Sequence, residues 1–391
     1  MIDLTKALNI IEKHILDPGS EIIALKESHA RILAEDILSD TDIPPFNKAA
    51  MDGYACKRVD LSKALDIIES VQAGAVPKFD VESGTCTRIM TGAKVPEGAD
   101  CVIMQEVTRI DEDGKMVYTG KETNTNICYM GEDIRKGDLV LRKGSTLNAQ
   151  NIGLLATAGR IKTKVYRNIS IGIIATGSEL VDPGEVPEGT KIRNSNSWQL
   201  MGQIYSLGHY PIYYGIVPDE RSKIITVTQD ALNKCDVLLL TGGASVGEFD
   251  LVADVLVDLG FTIEFSKVAI QPGKPVTFAV RDRKMCFGLS GNPVSCFLQF
   301  ELMVKPFLLK SSGVRYQTRR LRIKLDCELI RRKSESEYFF PVKLSRAGYV
   351  TPADYHGSAH LHALTDIIGF AEVPKGIKKI QKAEEVYVRL I

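Results

Sequence analysis

The sequence predicts a multidomain α/β plus β protein, with a doubly wound α/β domain, an inserted β-rich domain, a linking α/β segment and a C-terminal small β-domain. Three observations carry that prediction. Between residues 168 and 313, short apolar runs alternate with helix-like segments. Between 41 and 140, short alternating runs are broken by turn signals, and after Gly313 the chain offers short strands without a convincing helix. A length of 391 residues gives room for about two to four domains with full cores.

Leu4, Leu8, Ile11 and Ile15 recur at helical spacing until DPGS stops them, so the chain opens on an amphipathic helix. LNAQNIGLLATAGR, residues 147 to 160, reads as a helix ending near Gly159. These two segments are assigned to one linking domain, residues 1–40 with 141–167. The inserted β-rich domain, residues 41–140, holds DCVIMQEVTRI, a DEDGK turn and MVYTG. In the doubly wound domain, residues 168–313, the helices are NSNSWQLMGQIYSLG, ERSKIITVTQDALNK and DLVADVLVDLG. LRIKLDCELI, YFFPVKLSR, HALTDIIGFAEVP and EEVYVRLI form the last domain, residues 314–391. No segment is low-complexity and no repeat is evident.

The chemistry is concentrated at strand ends. ISIGIIATG, YPIYYGIVPD and DVLLLTGG are β-branched and apolar, as strands buried on both faces should be. Glu179 follows the first, Asp219 closes the second, and Asp250 ends the loop after the third. A fourth run, FTIEFSKVAI, carries Lys267 and leads into QPGKP with Lys274. Ligands of an open parallel sheet bind outside the carboxyl ends of its strands, so these side chains should converge on one crevice. Three carboxylates there need a counter-charge; magnesium, held by Glu179, Asp219 and Asp250, is the first choice. Glycines of GGASVG, Gly242 and Gly243 among them, let backbone N–H groups approach an anion, and the two lysines add point charges. Asn292 before Pro293 fits an N-cap whose helix start offers a further anion contact. The expected ligand is phosphorylated.

Composition removes other classes. With 49 basic and 49 acidic residues the formal net charge is zero, which implies neither nucleic acid nor an anionic membrane. The basic stretch RRLRIKLDCELIRRK alternates as a strand with one solvated face. Eight scattered cysteines lack metal-ligand spacing and fit a reducing cytoplasm. The amino terminus lacks a signal-peptide pattern, and no stretch approaches ~18 consecutive apolar residues, so a soluble protein is expected. His356, His360 and His362 have no fourth ligand nearby in sequence and are read as surface or packing residues.

Seven strings in order, PPFNKAAMDGYA, RIMTGAKVPEGADCVIMQE, GEDIRKGD, TGSEL, TGGASVGEFD, QPGKP and GNPVS, resemble the molybdopterin molybdenumtransferase family, MoeA-like proteins and the E domain of gephyrin. The match spans essentially the whole chain. The resemblance implies an elongated homodimer whose cleft lies between the α/β domain of one subunit and the β-domains of its partner. It also implies insertion of molybdate into adenylylated molybdopterin, with magnesium-dependent release of AMP and a possible protein partner that delivers the pterin. Carried over by position, the family's acidic residues fall on Asp52, Asp133, Glu179, Asp219 and Asp250. Thr91, Lys267 and Lys274 match its polar and basic positions, with Ser245 and Ser358 as oxyanion contacts. This chain departs from the pattern at Cys128, Gln271, Ser290 and Phe340, where the family more often has arginine, lysine, proline and arginine. Those at Cys128 and Gln271 each remove a positive charge, so the molybdate or pterin contacts should differ and tungstate stays open beside molybdate.

Two other readings compete. Gly243-Ala-Ser245-Val-Gly247 fits GxSxG, with Asp258 or Asp282 and His356 downstream in the order of a serine hydrolase. A gephyrin-like dimeric scaffold without catalysis is the alternative that the missing charges at Cys128 and Gln271 favour.

Overall fold

The computed structural model describes residues 1–242, 251–355 and 357–391. Its central element is a six-stranded sheet of β1 (Ser170–Thr176), β2 (Tyr210–Val217), β3 (Val237–Thr241), β4 (Thr262–Lys267), β5 (Pro275–Arg281) and β6 (Lys284–Leu289), in the order β2-β1-β3-β6-β5-β4. β1 pairs in parallel with both β2 and β3, and β3 with β6. β5 runs antiparallel to β6, and β4 antiparallel to β5, so β4 points the same way as the parallel set. The sheet is therefore mixed, where an all-parallel one was expected. The sequence reading did not separate β5 from β6, which form a hairpin across Asp282 and Arg283, with Asp282 at φ 54°. Both strands are largely buried and lack the polar alternation that marks a half-exposed strand.

Helices cover both faces. α1 (Leu4–Glu12), α3 (Asn196–Ser206) and α6 (Pro293–Gln299) share one core with the sheet, through Leu4, Ile11, Leu200, Ile204 and Leu298 against Ile171, Leu239 and Phe287. α4 (Arg221–Lys234) and α5 (Leu251–Asp258) cover the other face with Ile224, Leu232, Val255 and Leu256. Each such side chain, fully removed from water, contributes about 1.5–3 kcal/mol. α6 continues through a π-helical turn at Phe300–Val304 into α7 (Lys305–Ser311).

α1 and α2 (Ala149–Thr157) belong to different apolar clusters. The apolar stripe of α1 joins the central core, Ile2 bridges Val268, and Glu12 pairs with Lys310 of α7 at 2.7 Å. α2 packs instead with Ile23, Leu33, Ile37 and Val165, around the paired strands Ser20–Ala24 and Lys162–Tyr166. Both helices carry the N-caps their sequences favour: Asp3 accepts the N–H of Lys6 at 2.7 Å and Asn148 that of Asn151 at 3.0 Å.

A second six-stranded sheet lies between Gly53 and Tyr118, in the order Cys101–Met104, Gly53–Cys56, Thr85–Ile89, Ala64–Val71, Met116–Tyr118, Thr108–Ile110. A third holds Glu337–Leu344, Gly369–Val373, Glu385–Leu390 and Arg320–Lys324. Its far edge is filled by Ile270–Gln271, which comes from the segment between β4 and β5 and pairs in parallel with Glu337 and Tyr338. Phe370 of this sheet meets Phe297 of α6, ring centroids 6.1 Å apart, so the C-terminal sheet is packed on the central one.

Candidate active site

The strand directions place Thr176, Val217, Thr241, Lys267 and Leu289, with Pro275 at the start of β5, along one edge of the central sheet. This is the carboxyl edge, and β1 lies at the point where the chain turns from β2 on one side to β3 on the other. Glu179 and Asp219 follow β1 and β2, which are neighbours; both side chains are exposed. Asp219 Oδ2 accepts the Ser178 N–H at 3.2 Å, and Ser178 Oγ accepts the Asp219 N–H at 3.3 Å, so the two loops are tied reciprocally. Lys267 and Lys274 are also exposed, but they belong to the opposite border of the sheet. Five strand spacings of ~4.8 Å put that border about 24 Å from β2. The acidic and basic residues line one edge and do not meet at a point.

Between them the edge is shaped by residues that the sequence reading missed. Asn196, at the start of α3, donates from Nδ2 to Thr241 Oγ1 at 2.9 Å, to the Gly291 carbonyl at 2.8 Å and to that of Ser290 at 3.3 Å. Gln299, fully buried at the end of α6, donates to the carbonyls of Gly273 at 2.7 Å and Pro275 at 2.6 Å, while its Oε1 accepts the Ser290 N–H at 2.8 Å. One side chain thus holds the QPGKP loop against the SGNP loop. The only sequence sign was a glutamine inside the apolar run PVSCFLQF. Gln271, one of the departures noted above, is held by its backbone in the C-terminal sheet. Gly242, at φ 101°, lies so close to β1 that a Cβ would stand 1.9 Å from the Thr176 carbonyl oxygen. Gly243, Ser245 and Asp250 lie outside the described residues.

Asn292 occupies the N-cap position of α6 with Pro293 at the first turn, as expected, but its side chain makes no capping bond. Its own N–H is taken by Ser290 Oγ at 3.2 Å, and the Val294 N–H is taken by the Ser358 carbonyl at 3.0 Å. Ser358 therefore does reach the edge, and its backbone uses a donor that the sequence reading offered to an anion.

Asp52, Thr91 and Asp133 lie elsewhere. Asp52 accepts the Thr91 hydroxyl at 2.6 Å and the Thr91 amide N–H at 2.7 Å, and these bonds, the hydroxyl's first, hold its carboxyl below the usual range. The next residue, Gly53, has to be glycine because a Cβ would stand 1.8 Å from the Ile103 carbonyl oxygen of the adjacent strand. Asp133 is exposed, and its N–H donates to the Ile43 carbonyl at 3.1 Å. Cys128 is nearby in the fold, its strand paired with Lys48–Ala49, and desolvation followed by the Glu132 charge raises its thiol pKa. Among the described residues no hydrogen bond or ion pair joins Asp52, Thr91 or Asp133 to the carboxyl edge of the same chain.

Among the described residues no three His, Cys, Asp or Glu side chains are grouped to enclose a metal. Glu179 and Asp219 remain as two carboxylates on adjacent loops, the hard donor set magnesium uses when phosphate oxygens complete its shell. Phe340 is not a surface substitute for an arginine: it is 2% exposed, inside the core of the C-terminal sheet, and stacked with Tyr338. The basic strand Arg320–Lys324 spends its charge locally, Arg322 on Glu385 and Arg320 on Glu372. Of the hydrolase acids, Asp282 is in the β5–β6 turn at the amino edge, and Asp258 accepts from Arg221 Nε at 2.7 Å; Ser245 and His356 are outside the described residues. No helix among the described residues is long and apolar enough to cross a membrane.

Comparison with known proteins fits this geometry. Residues 2–159 match the model of the MoeA N-terminal region (domain I and II), and residues 172–310 match that of the "Probable molybdopterin binding domain". A molybdopterin molybdenumtransferase of Bacillus subtilis is 40% identical over 74% of this chain and 70% of its own length. This chain belongs to the molybdopterin molybdenumtransferase family. A relative with the same name from Staphylococcus aureus is 41% identical over 74% of the chain and 71% of its own length. The crystal structure of a molybdopterin biosynthesis MoeA protein from Pyrococcus horikoshii is 33% identical and covers both chains in full, with a TM-score of 0.85. The mixed α/β multidomain fold is that of MoeA structures.

Proposed function

We propose that this protein is a molybdenumtransferase that inserts molybdate into adenylylated molybdopterin, with release of AMP and formation of molybdenum cofactor. The observation that carries this reading is the extent of the carboxyl edge. Carboxylates after β1 and β2, and lysines at β4 and β5 three to five strand spacings or about 14–24 Å away, suit a long substrate with its phosphoanhydride at the acidic end and an oxyanion received at the other. Gly242 brings backbone close to where phosphate oxygens would lie, and Asn196 and Gln299 keep the neighbouring loops from moving.

Within this proposal Glu179 and Asp219, with Asp250, hold magnesium. Such an ion would neutralise charge on the phosphoryl oxygens as the phosphoanhydride is cleaved. Lys267 and Lys274 would attract the tetrahedral molybdate dianion to the far end of the edge by charge-assisted hydrogen bonds. Asp52, kept ionised by Thr91, and Asp133 would act on the edge of a second copy, because among the described residues no hydrogen bond or ion pair joins them to their own. That makes a cytoplasmic homodimer part of the proposal.

The test is AMP release from adenylylated molybdopterin by the purified protein with magnesium, with no oxyanion, molybdate or tungstate. Release that depends on an oxyanion supports the reading, and the preferred anion names the metal. Tight pterin binding without release would replace it with the scaffold reading, which the charges missing at Cys128 and Gln271 favour.

A further inference from the structure

The chain has a single tryptophan, and it is half exposed at the candidate site. Trp198 lies in the first turn of α3, two residues after Asn196, and its ring meets Tyr213 at 6.1 Å between centroids. It borders a cavity of about 530 Å³ with Pro183, Arg193, Gln199 and Leu361. Every wall of that cavity is connected to the carboxyl edge. Arg193 is in the short strand Ile192–Arg193, whose first residue donates its N–H to the Glu179 carbonyl at 2.9 Å. Gln199 donates to the Pro293 carbonyl at the start of α6, at 3.0 Å, and Leu361 stands three residues after Ser358, which closes on Val294.

The floor beneath this tryptophan is held by hydrogen bonds. Asn194 Nδ2 donates to the Tyr213 hydroxyl at 2.9 Å and to Ser197 Oγ at 3.0 Å, and the Tyr213 hydroxyl donates to Asp182 at 3.3 Å. A flat ring set on an aromatic neighbour, in a largely apolar cavity with the Arg193 guanidinium anchored on the Glu185 carbonyl at 2.9 Å beside it, meets the main demand of a fused heterocycle, a stacking surface. The volume is in the range of small-ligand sites.

We propose that Trp198 is a positioning residue on which a fused heterocycle of the substrate stacks. This rests on the function proposed above, whose substrate carries two such rings, the pterin and the adenine. Stacking places that ring equally well in the ground state and the transition state, away from the bonds that change.

Because Trp198 is the only tryptophan, intrinsic fluorescence reports this cavity alone. The wild-type protein is titrated separately with AMP and with 6-hydroxymethylpterin, and binding of each is measured in parallel by calorimetry. Quenching by one ligand with the other silent supports the proposal and identifies the ring. Trp198→Ala should then weaken that ligand about tenfold, roughly 1.4 kcal/mol, and raise KM for adenylylated molybdopterin with kcat nearly kept; Trp198→Phe should restore KM. Calorimetric binding of both ligands with no change in fluorescence, or a wild-type KM in Trp198→Ala, overturns it. Absence of molybdate-dependent AMP release in the wild type is a separate result, which removes the functional reading and leaves the stacking titration standing by itself.

Discussion

Gln299 Oε1 accepts the amide N–H of Ser290 at 2.8 Å, from a side chain that is fully buried. The amide nitrogen Nε2 of the same side chain is committed to the carbonyls of Gly273 and Pro275, so three backbone groups from two site loops depend on it. Gln299→Ala leaves the buried Ser290 N–H and two part-buried carbonyls short of a partner and opens a small void. The expected loss of stability is about 2–4 kcal/mol, read by urea denaturation. Activity should fall further than the folded fraction does, because Lys274 and Asn292 flank the loops released. Unchanged stability and activity would show that water replaces the amide fully.

The Asp52–Thr91 pair predicts a pH effect with a definite sign. Thr91 holds the Asp52 carboxyl below its usual pKa, and the hydroxyl bond is the larger cause. Thr91→Val removes that bond and keeps the backbone one, so the carboxyl pKa rises. The acid limb of the kcat/KM profile should move to higher pH, while Asp52→Ala should abolish turnover with an unchanged circular dichroism spectrum. An acid limb that stays in place in Thr91→Val, with activity kept, would show that Asp52 need not be ionised.

Asp52 and Asp219 also test the dimer. If Asp52 serves the edge of its partner, an equal mixture of Asp52→Ala and Asp219→Ala chains, unfolded and refolded together, forms mixed dimers with one site spared both changes. Random pairing predicts about a quarter of wild-type activity from two inactive variants. Refolded mixtures that stay inactive while sedimenting as dimers would place both residues in one chain's own site.

The alternating elements between Ile169 and Ser295 were legible because strands buried on both faces leave continuous apolar runs, and among the described residues Glu179, Asp219 and Lys267 follow or end strands along one edge. The hairpin of β5 and β6 was not, since its two-residue turn at Asp282-Arg283 lacks glycine. Strand direction then had to come from pairing, and with it the finding that Lys267 is remote from Asp219. The packing of α1 on the central sheet was invisible for a different reason: an amphipathic stripe shows that a helix is buried and not where. Asn196 and Gln299 looked like ordinary polar residues, because their value lies in backbone groups distant in sequence. Ser358 was matched by position, yet it reaches the edge through its carbonyl, which no side-chain pattern records.

Gly242 gives the sharpest local prediction. At φ 101° an alanine is strained by its backbone alone, and its Cβ would meet the Thr176 carbonyl oxygen at 1.9 Å, which is main chain of the adjacent strand and cannot swing aside. Gly242→Ala should displace the start of the loop that leads to Asp250, cost about 1–3 kcal/mol in stability and reduce AMP release far more than that. Gly184→Ala, at a position where a Cβ meets nothing, is the matched control and should leave both measurements at wild-type values.

His209 predicts how the protein responds to acid away from the site. It is 3% exposed at the amino edge of the central sheet, where Nδ1 accepts the Ile169 N–H at 3.4 Å. Burial, aided by the charge of Arg31, lowers its pKa from 6.5 to about 4. Its folded pKa is depressed, so the unfolded chain takes up a proton first as pH falls. The neutral form's contribution is whole above about pH 6.5 and is lost progressively as pH drops toward 4, with a slope approaching ~1.4 kcal/mol per pH unit. Carboxylates titrate mainly below this window, so the loss between pH 6.5 and 5 should be assignable to the imidazole. His209→Gln, which keeps an acceptor for Ile169 and cannot take a proton, should flatten the stability profile there even if it lowers stability at pH 8. Denaturation midpoints at half-unit intervals of pH measure this, and a variant with the same slope as the wild type would show that another group titrates.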